Sequence, residues 1–380
     1  MSPTTTLLED RFRFVLRVLP DYYRQEREEE MVDTFLSDRE PIDEEASFGR
    51  PGVREVAGVL ALAVRSRLAA PGAPGRYAAY GRTARLATLL GVVALASVVL
   101  FNVLSDVAVL LAGSAADRRI VLDMMTERAA GSGFSLWAVA LYVLPLGWIG
   151  ACLALPAGRW RTAAAFSAVA TAPVLVELAR QAADGFMPTG APLVSTGFQC
   201  LVALTTVGAF HSGAPGAELS KRVDEWLPPA CFAVVLASLL AGRPVLAFED
   251  WAYGWAFLVA GTLWLVLRAR SLKRASALRA SGPRTPAERT GAEDRLSDPA
   301  LPAALAAVGL PILAARTCTV EFLAHASGMP AVAFPVHAGQ VIAIAALEAV
   351  LLVHAVRALR REPRTRPMSA TREGTAIPGR

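Results

Sequence analysis

The chain has 380 residues, of which 54% are hydrophobic and only 19% charged, with a mean hydropathy of +0.42. That balance sets it apart from soluble globular proteins and places it in an all-α class, a polytopic transmembrane helix bundle with a small N-terminal helical domain. The net charge of +5 does not point to nucleic acid, because the basic residues fall in tails and in loops between apolar segments, where they read as lipid contacts and topology determinants.

Residues 1–70 precede any apolar stretch long enough to span a bilayer and read as a three-helix cytoplasmic prefix. Thr6 stands three residues before Glu9, a capping-box spacing, and Leu8, Phe12, Val15, Leu16 and Leu19 recur on one helical face. Pro20 closes that helix. A second begins near Asp21, with Met31, Val32, Phe35 and Leu36 on one side and Glu28, Glu29 and Glu30 facing water. Pro51 suits the first turn of a third helix, whose apolar positions are Val53, Val56, Leu60, Val64 and Leu68. On that spacing Phe12 and Leu60 both belong to the core. A prefix of this size is marginal alone, so help from the membrane or a partner is expected. The N-terminus is polar and acidic, without the short apolar run of a cleavable signal peptide, so the first span is expected to direct insertion.

The pattern RFRFVLRVLPDYYRQEREEEMVDTFL, followed by REVAGVLALAVRSRL, resembles the α-helical prefix of bacterial multi-pass membrane proteins described as HAAS or permease-prefix domains. The resemblance covers about a fifth of the chain and brings no catalytic motif. It implies a signalling or regulatory role beside a PadR-type regulator, and a cytoplasmic protein partner for the prefix. Residues 71–85 then form a juxtamembrane linker, broken by PGAPG and followed by Tyr77, Tyr80, Arg82 and Arg85, an aromatic and basic approach suited to the headgroup layer.

The first span runs from Leu86 to Leu111 and carries no charge before Asp106, long enough for a hydrocarbon core that needs about 20 apolar residues in a helix. Seven more apolar segments follow: Phe134 to Leu155, Ala163 to Ala179, Leu193 to Phe210, Leu227 to Leu246, Trp251 to Leu267, Leu301 to Leu323 and Val332 to Val356. Eight spans are therefore expected, six within 86–267 and two within 300–356. A basic cytoplasmic loop (268–299) joins the two groups, and a basic tail (357–380) ends the chain; both read as disordered linkers. Arg159, Arg161, Lys221, Arg222 and the arginines after Arg268 and Arg357 fall on the side of the N-terminus, which puts both termini in the cytoplasm. Arginine in place of lysine, with abundant Ala, Gly and Val, suggests a bacterial genome rich in GC, and hence a bacterial cell membrane. MPTGAPLVSTGFQ from Met187 and MPAVAFPVHAGQ from Met329 echo one another, as a duplicated hairpin or an apolar coincidence would.

Ionisable groups inside spans are costly and so mark candidate sites. Asn102, Asp106, Glu177, Arg180, Arg316, Glu321, His325, His337 and Gln340 form such a set, placed by residue counting in the outer half, while Glu348 lies towards the inner half. A polar cavity open to the outside would use them for ligand or ion contacts. Alternatively several lie in the headgroup layer and Arg316 is paired with an acid, Glu177 or Asp106 being the expected partners. The four cysteines (Cys152, Cys200, Cys231 and Cys318) fall in apolar segments without CxxC spacing and read as small buried hydrophobes. HExxH, GxSxG and GxxxxGK[ST] are missing, so no enzyme, cofactor or metal is expected. Two readings lead, a regulatory or sensory membrane protein acting through its prefix and a transporter or permease-like protein with an outward polar cavity, and an intramembrane enzyme stands third.

Overall fold

The computed structural model describes residues 7–37, 50–68, 73–116, 118–119, 121–123, 140, 142–185, 190–210, 249–280, 300–325 and 333–361, and all regular structure among them is helical. The chain divides after Arg82 into two compact units, the prefix together with the residues from Arg357 on, and Thr83–Val356.

In the prefix, α1 (Leu7–Leu16), α2 (Asp21–Ser37) and α3 (Val53–Arg67) surround one apolar core. Leu8, Phe12, Leu16 and Leu19 are buried as their spacing predicts, with Val32 and Phe35 of α2 against them. The Phe12 and Phe35 rings stack with centroids 3.9 Å apart. The face of α3 differs from expectation. Val59, Ala63 and Ser66 are buried, whereas Val53, Leu60 and Val64 are exposed, Val53 at 88%. Two apolar stripes run along this helix, and the one with smaller residues turns inward, where the Tyr22 hydroxyl donates to the Ser66 carbonyl at 2.7 Å. Gly52 rather than Pro51 caps α3, its amide donating to the Glu55 carboxylate. On the surface Arg13 donates to Glu9 at 3.0 Å and to Glu29 at 2.8–2.9 Å. Those hydrogen bonds, first Glu29 and then Glu9, raise the pKa of Arg13, and Arg13 in turn holds the Glu29 carboxyl below its ordinary value.

Helix α4 runs without interruption from Gly75 to Ala112, about 57 Å at 1.5 Å per residue. Tyr77 to Arg85 are thus the first turns of the helix that also makes the first span. A short 3₁₀ turn (Leu144–Leu146) leads into α5 (Gly147–Ala154); α6 (Trp160–Ala183), α7 (Ala191–Ala209), α8 (Glu249–Ala280), α9 (Ala300–His325) and α10 (Ala333–Arg361) complete the bundle. Among the described residues five helices are long and apolar enough to cross a membrane (α4, α6, α7, α9 and α10), so the chain is a multi-pass membrane protein, and these five correspond to the first, third, fourth, seventh and eighth of the spans expected. The expected fifth span, Leu227 to Leu246, and the start of the second lie outside the described residues, as do the loop from 281 to 299, the tail from 362, and Met187 and Met329. The part of the second span that is described is only a short apolar helix, Leu144–Ala154. The sixth, α8, continues well past Leu267 into RARSLKRASALRA, because Ala, Leu, Arg and Lys are good helix formers and no Gly or Pro interrupts them.

Among the described residues of the bundle two apolar cores are the larger, beside a small cluster of Leu86, Ala300 and Ala304. In one, Leu89, Val92 and Leu95 of α4 meet Trp148 and Ala151 of α5, Ala163 and Ala170 of α6 and Val202 of α7. Close approach is built in: a Cβ at Gly91 would lie 2.6 Å from Val202 Cγ2, and one at Gly147 2.7 Å from the Phe166 carbonyl oxygen. The other joins Phe257 of α8, Leu305 and Ala306 of α9, and Ile344, Leu347 and Leu351 of α10. Hydroxyls in the spans mostly donate to their own helix, Thr88 to Ala84, Ser97 to Val93, Thr171 to Ser167 and Thr206 to Val202, at 2.7–2.8 Å. That arrangement suits a segment with no water to offer.

Candidate functional site

Polar side chains larger than a hydroxyl cannot be satisfied so locally, and in the second core they gather on α10. His337, Gln340, Ile344, Leu347, Glu348, Leu351 and Ala355 are buried, a spacing of three and four that keeps one stripe of the helix facing its neighbours. The polar members thus share the stripe that packs. Glycines make the room. A Cβ at Gly254 of α8 would lie 2.5 Å from Gln340 Nε2, one at Gly261 would lie 2.6 Å from Leu347 Cδ2, and one at Gly309 of α9 would collide with the Glu348 carboxylate and the Phe257 ring.

Arg316 of α9 is fully buried, and its Nη2 meets Nδ1 of His337, also fully buried. Guanidinium only donates, so a hydrogen bond here requires Nδ1 of His337 as the acceptor, which the neutral imidazole protonated at Nε2 provides. One turn along α10 from His337 lies Gln340, 3% exposed, and two turns beyond that Glu348, also 3% exposed. Both Glu348 carboxylate oxygens lack a hydrogen-bond partner among the described residues.

Of the nine residues expected to form one polar set, Arg316 and His337 are in contact, and Gln340 shares the buried stripe of α10 with His337. Four of the others, Glu177, Arg180, Glu321 and His325, have their contacts within their own helices. Glu177 accepts from Arg180 at 2.8 and 3.0 Å and from Gln181 at 2.9 Å, and Arg180 reaches Asp184 at 3.2 Å. This is an open network on α6, with the Arg180 side chain 60% exposed, and Glu177 is not the partner of Arg316. Glu321 and His325 are exposed near the end of α9, where the imidazole Nδ1 contacts the Glu321 carbonyl at 2.8 Å. Asn102 and Asp106 sit half-buried on α4. Glu348 belongs to the buried stripe although depth counting set it aside. Its spacing from His337 and Gln340, eleven and eight residues, was the available signal, because both intervals return to the same face of a helix. Among the described residues no three of His, Cys, Asp and Glu group as metal ligands would.

The prefix carries a concavity of its own. A groove of about 330 Å³ lies over Phe12, Met31, Phe35, Val59 and Leu62, with Arg27, Glu30 and Glu55 also lining it. Gly58 lines it too, and a Cβ there would meet nothing within 4 Å.

Compared with protein-family models, curated proteins and solved structures, the chain matches none.

Proposed function

We propose that this is a regulatory or sensory membrane protein, bacterial, with both termini in the cytoplasm, whose prefix acts by binding rather than catalysis. The observation that carries this reading is the open groove on the prefix, an apolar floor with charges beside it, suited to an apolar anchor from a cytoplasmic protein. The resemblance of the prefix to HAAS domains supports the same role. The input would be the buried contact between Arg316 and His337. Protonation of His337 removes its acceptor and sets two cations side by side in a region shielded from water, which favours a rearrangement of α9 against α10.

Gly58→Trp tests the output. It would fill the groove from a position with free space, leaving the prefix core in place. In a deletion strain, wild type should restore the normal expression profile and Gly58→Trp should not; full restoration by the variant would sink the reading. A second reading, a transporter or permease-like protein, draws on Glu348, a buried carboxyl without a hydrogen-bond partner among the described residues, suited to a coupled cation. It expects solute flux in proteoliposomes that Glu348→Gln abolishes and Gly58→Trp leaves intact.

A further inference from the structure

A three-helix prefix needs one apolar face on each helix, yet α1 has a second. Phe14 is 68% exposed and Val18 38%, and Arg17 stands beside them with its guanidinium 5.7 Å from the Phe14 ring centroid. The orientation of this face follows from contacts within the prefix unit. Tyr22, at the start of α2, packs against Tyr77 of α4 with ring centroids 5.1 Å apart and bonds Ser66 at the end of α3. The end of α1 is tied to the same place by the short turn through Pro20. One end of the prefix therefore collects Phe14, Arg17, Val18, Val64, Arg65 and Arg67, all exposed.

The charges are divided to match. At this end the exposed cations are Arg17, Arg65, Arg67 and Arg76, and the acids are Asp21, paired with Arg24 at 2.9 Å, and Glu26, one turn along α2 from Tyr22. Glu28, Glu29, Glu30 and Asp33 lie further along α2, with Asp33 about 16 Å from Tyr22. We propose that this end is a lipid-docking face, on which Phe14, Val18 and Val64 enter the headgroup layer of an anionic leaflet and the four arginines meet its phosphates. Exposed apolar residues beside cations are what such a surface requires. Docking does not depend on whether the bundle senses or transports.

The test uses the full chain with its native cysteines replaced by serine, in nanodiscs of zwitterionic lipid or of lipid with an anionic fraction. A fluorophore is attached at Val18→Cys or, as the far-end control, at Asp33→Cys, and quenching by lipids brominated near the headgroup is read. The Val18 label should be quenched several-fold more than the Asp33 label in anionic discs, and the difference should shrink in zwitterionic discs, at high salt, and with Arg17→Glu and Arg67→Glu together. Equal quenching at the two sites, or no dependence on lipid charge, overturns the proposal. So does a Val18 label that is shielded but crosslinks to a second copy of the chain. Arg65→Cys provides a second labelled position at the same end, with the same expectations, should Val18→Cys disturb the fold.

Discussion

The prefix and the span bundle distribute charge in opposite ways. In the prefix the core is apolar, and Arg13 meets Glu9, Glu28 and Glu29 on a wet surface. In the bundle Arg316, His337, Gln340 and Glu348 are inside, while Leu204 and Ile342 are exposed at 71% and 70%. Each unit hides what its own solvent would not accept: water excludes the phenyl rings of the prefix, and hydrocarbon excludes the guanidinium of the bundle. Ion pairs therefore mean different things in the two units. Surface pairs of the prefix contribute about 0–1 kcal/mol each, but a buried polar contact left with one partner is costly.

The strongest break of this contrast is a charge in the prefix core. Phe12→Asp should destabilise the prefix by about 4 kcal/mol or more, because it buries an unpaired carboxylate and empties the place opposite Phe35. Hydrogen exchange of α1–α3 in the full chain should rise accordingly. Leu60→Asp, on the exposed stripe of α3, should move stability by no more than about 0.5 kcal/mol. Equal effects of the two would mean that the buried face of α3 is misassigned.

In the bundle, Gly309→Val should cost about 1–3 kcal/mol of thermal stability in detergent, since its side chain must displace both Phe257 and Glu348. A melting temperature unchanged by that substitution would show that α9 and α10 do not approach as described.

A double-mutant cycle sharpens the electrostatic side. Arg316→Gln and His337→Leu should be non-additive by about 0.5–3 kcal/mol, as contacting residues are, whereas Arg316→Gln and Glu177→Gln should add within about 0.5 kcal/mol. Coupling to Glu177 instead would restore it as the partner of Arg316.

The smallest expected effect concerns pH and the prefix. Burial first, and then Tyr77 beside it, pushes the Tyr22 phenol from 10.0 up to about 12. The raised group contributes stability fully below pH 10, and that contribution is lost as pH rises through about 12. Loosening of α2 and α3 in this alkaline window, absent in Tyr22→Phe, is the expected observation. Glu29 acts with the opposite sign, its contribution being present above 4.5 and lost as pH falls through its lowered value.

Local composition alone determined several features of this chain: that it spans a membrane, that a helical segment precedes the spans, and that Leu8, Phe12, Leu16, Val32 and Phe35 form a core. Each depends on a run or a period within one helix. Other features depend on neighbours. The two apolar stripes of α3 have the same period, and packing against α1 and α2 chose Val59 and Ala63 over Leu60 and Val64. Hydropathy ended the sixth segment at Leu267, but backbone hydrogen bonding carries α8 on to Ala280, because helix propensity does not stop where hydrophobicity does. Depth counting grouped nine polar residues, yet only tertiary packing could bring Arg316 to His337, because residues at one depth on different helices can point anywhere around their axes. The room for Glu348 is likewise made by the missing side chain of Gly309 on another helix, a relation between helices that no periodicity within one of them contains.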